Sequence, residues 1–72
     1  MINTLEVYKS TGERAGTSAK RRDIASVQFH NRWLANALAS EKGEDKRLAR
    51  AAYDEAYRQA SGFYDPLSQF ST

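Results

Sequence analysis

Between Ser18 and Gly43 the chain holds its longest run able to form one helix, and that run carries apolar side chains on two opposite faces. A simple surface helix carries one such face. At 100° per residue, Ile24, Val27, Asn31, Leu34 and Leu38 fall on one stripe at i, i+3, i+7, i+10 and i+14, flanked by Ala35 and Ala37. Phe29 and Trp33 form an i,i+4 pair pointing roughly the other way, with Arg22 one or two turns before them. The first stripe reads as a core seam suited to packing along another helix. The second needs a cover of its own.

The boundaries of this run follow from its ends. Ser18 or Asp23 can serve as its N-cap. A start at Ser18 puts Lys20, Arg21 and Arg22 in the first turn, where positive charge opposes the helix dipole. Gly43 is a C-terminal stop, and Glu44 and Asp45 start the next helix, with Asp45 as its cap. That second helix runs to about Ser61, where Gly62 ends it. Leu48, Ala49, Ala52, Tyr53, Ala56 and Ala60 lie on one side, continued by Phe63 beyond the glycine. Arg47, Arg50, Asp54 and Arg58 lie on the other, with Asp54 and Arg58 in favourable i,i+4 order, and read as a solvated face. The short connection makes the helices antiparallel neighbours. The expected fold is therefore mainly α, a single domain over residues 1–72 built on an antiparallel helical hairpin at about 18–42 and 45–61.

The flanks are expected to be less regular. Ile2 to Tyr8 reads either as a short extended segment, with Leu5 and Val7 alternating against Thr4 and Glu6, or as one helical turn capped by Asn3 and Glu6. Residues 9–17, with Gly12 and Gly16 among hydroxyl residues, read as a flexible loop. Gly16-Thr17-Ser18 lacks the lysine a phosphate loop needs. The 62–72 tail turns at Asp65-Pro66 and carries Phe63, Tyr64, Leu67 and Phe70, either to complete the core or to meet a partner.

Chemistry-bearing residues are few. His30 is the only histidine and there is no cysteine, so no zinc ligand set is present and no catalytic dyad is evident. The adjacent carboxylates Glu44-Asp45 and Asp54-Glu55 splay apart on a helix instead of converging. These features point to a non-enzymatic protein without cofactor or metal. The lack of cysteine fits a cytoplasmic setting. No apolar run approaches membrane-spanning length and no secretory leader is evident at Met1.

Net charge is +2, distributed as +3 over residues 1–40 and −1 over residues 41–72. The basic side chains gather around the second apolar face of the long helix. Arg22, Phe29 and Trp33, edged by Lys20, Arg21 and Arg32, form the expected protein-binding face, with Leu5 and Val7 as an extended contact. Trp, Phe and Arg anchor interfaces because they join large buried area to directional contacts. Two other readings remain at this level. The same face could bind nucleic acid, with Trp33 or Phe29 as a stacking platform. The Ile24 to Leu38 seam could instead make a homodimer, leaving the chain a monomer or a weak dimer.

Taken whole, a tiny, cysteine-free, helical chain with charged, glycine-containing loops resembles the small phage-encoded proteins that bind and redirect host machinery, including those that act on bacterial RNA polymerase. The resemblance covers all 72 residues in size and style, and no functional residue is carried over from it. It implies a stoichiometric partner in place of a substrate, and inhibition or redirection of transcription as the outcome.

Overall fold

A computed structural model describes residues 4–62, which form three helices: α1 (Thr4–Lys20), α2 (Ile24–Leu38) and α3 (Gly43–Ser61). The tail from Phe63 onward, and Ile2 and Asn3 at the start, lie outside the described residues. The mainly helical expectation holds, and the arrangement of the helices departs from the expected hairpin.

The largest departure is α1. Residues 9–17, expected as a loop, and Leu5 to Tyr8, expected as extended or as a single turn, are one continuous helix. Their small residues are the reason. Tyr8, Gly12, Ala15, Gly16 and Ala19 recur at i, i+4, i+7, i+8 and i+11, a helical stripe, and all five are buried. The stripe lets two backbones meet. A Cβ added to Gly12 would lie 3.1 Å from Tyr53 Cα, and one added to Gly16 would lie 2.5 Å from the Tyr57 carbonyl oxygen and 2.7 Å from Ala60 Cβ. Glycine is unfavourable within an isolated helix, but here it lets the helix pack tightly against its neighbour.

This register also fixes direction. Gly12 meets Tyr53 and Gly16 meets Tyr57 through Ser61, so α1 and α3 run parallel. Helix α2 returns antiparallel between them in sequence, as the Ser18–Ser26 hydroxyl pair at one end and the Tyr8–Trp33 ring pair at the other require. Helix α1 is thus the central element, packed extensively on α3 and less so on α2, while α2 and α3 touch only sparsely. The pair 18–42 and 45–61 is not the main packing unit, because α1 supplies the surface on which both later helices lie.

The break between α1 and α2 explains why 18–42 is not one helix. Arg22 takes a left-handed conformation at φ 64°, with its N–H on the Ala19 carbonyl at 2.9 Å and the Asp23 N–H on the Ser18 carbonyl at 2.9 Å. These two bonds make the Schellman helix ending, in which glycine usually holds the left-handed position. Arginine there costs on the order of 1–2 kcal/mol and hides the stop from a reader of the sequence. Asp23 then caps α2, its carboxylate accepting from the Ser26 N–H at 3.2 Å. Of the two expected caps, the structure uses Asp23. Lys20, Arg21 and Arg22 consequently close α1 instead of opening a helix, so their charge complements the dipole and the expected conflict disappears.

Helix α2 ends at Leu38, short of Gly43, with the Ser40 hydroxyl donating to the Ala37 carbonyl at 3.0 Å. Gly43 instead begins α3 behind an extended Lys42, and Asp45 lies within the first turn instead of capping it. Gly62, at φ 68°, ends α3 as expected.

The core gathers Tyr8 and Ala15 from α1, Leu34 and Leu38 from α2, and Ala49 and Tyr53 from α3, with Trp33, Ala37, Ala52 and Tyr57 packed around them. Val27 is fully buried, whereas Ile24 and Asn31 of the expected seam are half-buried. Asn31 Oδ1 accepts from the Tyr53 hydroxyl at 3.2 Å. On the solvated face of α3, Arg50 pairs with Asp54 at 3.6 Å and Arg58 with Glu55 at 3.2 Å, so Asp54 pairs with the arginine before it, not with Arg58. Leu48, expected on the inner side, is 40% exposed.

Candidate functional site

The two aromatic residues of the second apolar face part company. Trp33 is half-buried and lies against Tyr8 with ring centroids 5.4 Å apart, tilted at 58°. The cover that this face needed is therefore partly supplied by the chain's own first helix. Phe29 remains 67% exposed, its ring nearly perpendicular to that of His30 with centroids 5.4 Å apart. It is the most exposed of the large apolar side chains among the described residues.

Helical register places Phe29 in a defined setting. Ser26, Phe29 and Trp33 share one stripe of α2, opposite Asn31, which faces α3. On α1, Val7, Thr11, Arg14 and Ser18 recur at i, i+4, i+7 and i+11 on the flank away from Gly12 and Gly16. The Ser18–Ser26 contact ties these stripes together at one end, and at the other Tyr8, which follows Val7 in α1, lies against Trp33. Phe29 and Arg14 therefore border the same outer seam between α1 and α2, on the side turned away from α3. The basic turn of Lys20, Arg21 and Arg22, all exposed, closes one end of the seam.

Of the residues expected to bind, Phe29, Trp33 and Val7 lie on this seam, and Lys20, Arg21 and Arg22 lie at its end. Arg32 is exposed one turn further round α2. Leu5 is set apart, because it shares the register of Gly12 and Gly16 and so belongs to the α3 side of α1, where it is 44% exposed. Arg14 was missed, since residues 9–17 read as a loop have no face. The small-residue stripe from Tyr8 to Ala19 is the signal that could have placed it.

Cations outnumber carboxylates along the seam. Arg32 is the only lysine, arginine or carboxylate within α2. Among the carboxylates near the seam ends, Asp23 is engaged as the α2 cap and Glu41 accepts from the Tyr8 hydroxyl at 3.0 Å. Burial, reinforced by the Glu41 carboxylate, pushes the Tyr8 phenol up to about 12. Burial and the charge of Asp54 do the same for Tyr53, also to about 12. Both phenols therefore act as neutral donors at ordinary pH.

The one serine–histidine constellation does not form a catalytic pair. His30 Nδ1 lies 2.7 Å from the Ser26 carbonyl oxygen, which can only accept, so Nδ1 carries the proton and donates it there. It then has no lone pair for the Ser26 hydroxyl at 3.5 Å, and Ser26 Oγ is instead 2.8 Å from Ser18 Oγ. No group of three histidine or carboxylate residues able to hold a metal occurs among the described residues. A shallow groove of about 550 Å³ between α1 and α3 is bordered by Lys9, Glu13 and Thr17 on one side and Glu55, Gln59 and Ala60 on the other. Its charges are mixed and it gathers no reactive group. No described helix is long and apolar enough to cross a membrane.

Comparison with protein-family models, with curated proteins and with solved structures finds no match for this chain.

Proposed function

We propose that this chain is a small non-enzymatic regulator that binds a larger protein through the outer α1–α2 seam, with Phe29 as its anchor. The observation that supports this most is the exposure of Phe29 at 67% on a helix whose other large apolar side chains are buried or half-buried. An aromatic ring held on a rigid helix loses little conformational freedom on binding, which is why such residues dominate interface energies. Trp33 has a different part: it fastens α2 to α1 and so fixes where Phe29 stands. Bacterial RNA polymerase is the first partner to test, given the resemblance to phage-encoded regulators, with inhibition or redirection of transcription as the consequence.

The test is retention of proteins from bacterial lysate by the immobilised wild-type chain and by Phe29→Ala. Phe29→Ala is expected to lose the retained protein while its helical circular dichroism and its urea midpoint stay unchanged, since an exposed side chain contributes little to stability. Retention by Phe29→Ala equal to that of the wild type would overturn the reading. Recovery of no polymerase subunit would remove polymerase as the partner.

Nucleic-acid binding is the second reading, favoured by the excess of positive charge along the seam. A mobility shift that weakens steeply with salt would support it.

A further inference from the structure

We infer that the occupant of the outer α1–α2 seam is an acidic amphipathic helix of the partner, a conclusion that rests on the protein-binding reading above and adds the partner's chemistry to it. Three observations carry it. The first is charge: Arg14 borders the seam, the exposed Lys20 and Arg21 close one end, and Arg32 stands on its outer side. Two carboxylates, Asp23 and Glu41, lie at its ends, hydrogen-bonded to the Ser26 N–H and the Tyr8 hydroxyl, and the cations remain in excess. A partner surface carrying negative charge matches that excess, and a basic one is repelled.

The second observation is the apolar surface. Phe29 lies between the basic turn and the far end of the seam, where Val7, 45% exposed, and half-buried Trp33 continue the apolar surface. A surface that tracks phosphates calls for a continuous basic groove with bases stacked along it, whereas exposed apolar side chains with cations at their edge match the anatomy of a protein interface. The third is backbone. Every described element is a helix, so the seam has no strand edge to which an extended segment could add. A helix laid in the groove between two antiparallel helices engages side chains alone. The 15 residues of α2 give the seam a length of about 22 Å, or four turns of a partner helix. Leucine or phenylalanine at i, i+4 and i+7 of that helix would flank Phe29, with Glu or Asp on both borders.

The probe is a fluorescent helical peptide of about 20 residues, leucine at heptad spacing and glutamate on its other faces, titrated with the full chain at about 0.15 M salt, where screening removes weak surface attraction. A permuted peptide of the same composition and a single-stranded DNA of similar length serve as comparisons. The amphipathic peptide is expected to bind at least about tenfold more tightly than the permuted one. Phe29→Ala and Arg14→Glu should each weaken it about tenfold, and Lys46→Glu on α3 should leave it unchanged. Equal binding of the two peptides, or none, overturns the inference. If lysate capture still depends on Phe29, the protein-binding reading stands and only the partner chemistry fails. Tighter binding of the DNA assigns the seam to nucleic acid. Self-association in sedimentation assigns it to a second copy, and NOEs from the Phe29 ring to residues 63–72 assign it to this chain's own tail; each of these also overturns the inference.

Discussion

Replacing Gly12 by alanine is expected to destabilise the fold by about 2 kcal/mol, although the same change in an exposed helix stabilises it by about 1 kcal/mol. The sign reverses because the new methyl would enter the backbone of α3, 3.1 Å from Tyr53 Cα, and a backbone cannot step aside as a flexible side chain can. Gly16→Ala should behave alike, since its methyl would lie 2.5 Å from the Tyr57 carbonyl oxygen and 3.0 Å from the Ser61 nitrogen. A chain of this size holds on the order of 4–10 kcal/mol in total. The double variant is therefore expected to lose about 4 kcal/mol, a large share of that total. Urea denaturation followed by circular dichroism measures both effects. Ser10→Ala, on the exposed side of the same helix, is the control and should shift stability by less than about 0.5 kcal/mol.

Tyr53→Ala should cost still more, about 3–5 kcal/mol, the range for deleting a buried aromatic ring. Tyr53 is 2% exposed, sits where all three helices meet, and stacks on Tyr57 with ring centroids 6.4 Å apart. Removing it opens a cavity against the Gly12 side of α1 and also strips Asn31 of its donor. Tyr53→Phe isolates the second effect. It keeps the ring and loses only the 3.2 Å bond to Asn31, so about 1 kcal/mol is expected. Thermal melts of the two variants separate packing from hydrogen bonding. Equal losses in both would mean that the hydroxyl, and not the ring, holds the junction together.

Much of α3 was legible. Ala49, Tyr53 and Ala56 recur on one face, Gly62 ends the helix in the left-handed conformation glycine favours, and the charged face is solvated. Val27, Leu34 and Leu38 were legible as core for the same reason of spacing. Helix α1 was not, because glycine normally argues against a helix and its two glycines earn their place only from the backbone lying opposite. No local propensity carries that information. The stop before α2 was hidden by Arg22, which stands where glycine is the usual signal. Both misreadings had one consequence for the site. With residues 9–17 taken as a loop, Trp33 lacked the Tyr8 ring that half-covers it, and Arg14 had no face on which to stand. Phe29 and the basic turn could be found from residue type and spacing alone.

The seam exists only if residues 4–20 form one helix lying across α2 and α3. Amide hydrogen exchange across residues 9–17 tests that most directly, since protection there requires the helix to be both formed and packed. Protection of Gly12, Ala15 and Gly16 equal to that of Tyr53 and Ala56 in α3 is predicted, with all of them lowered together in Gly12→Ala/Gly16→Ala. Free exchange over residues 9–17 beside a protected α3 would contradict the account.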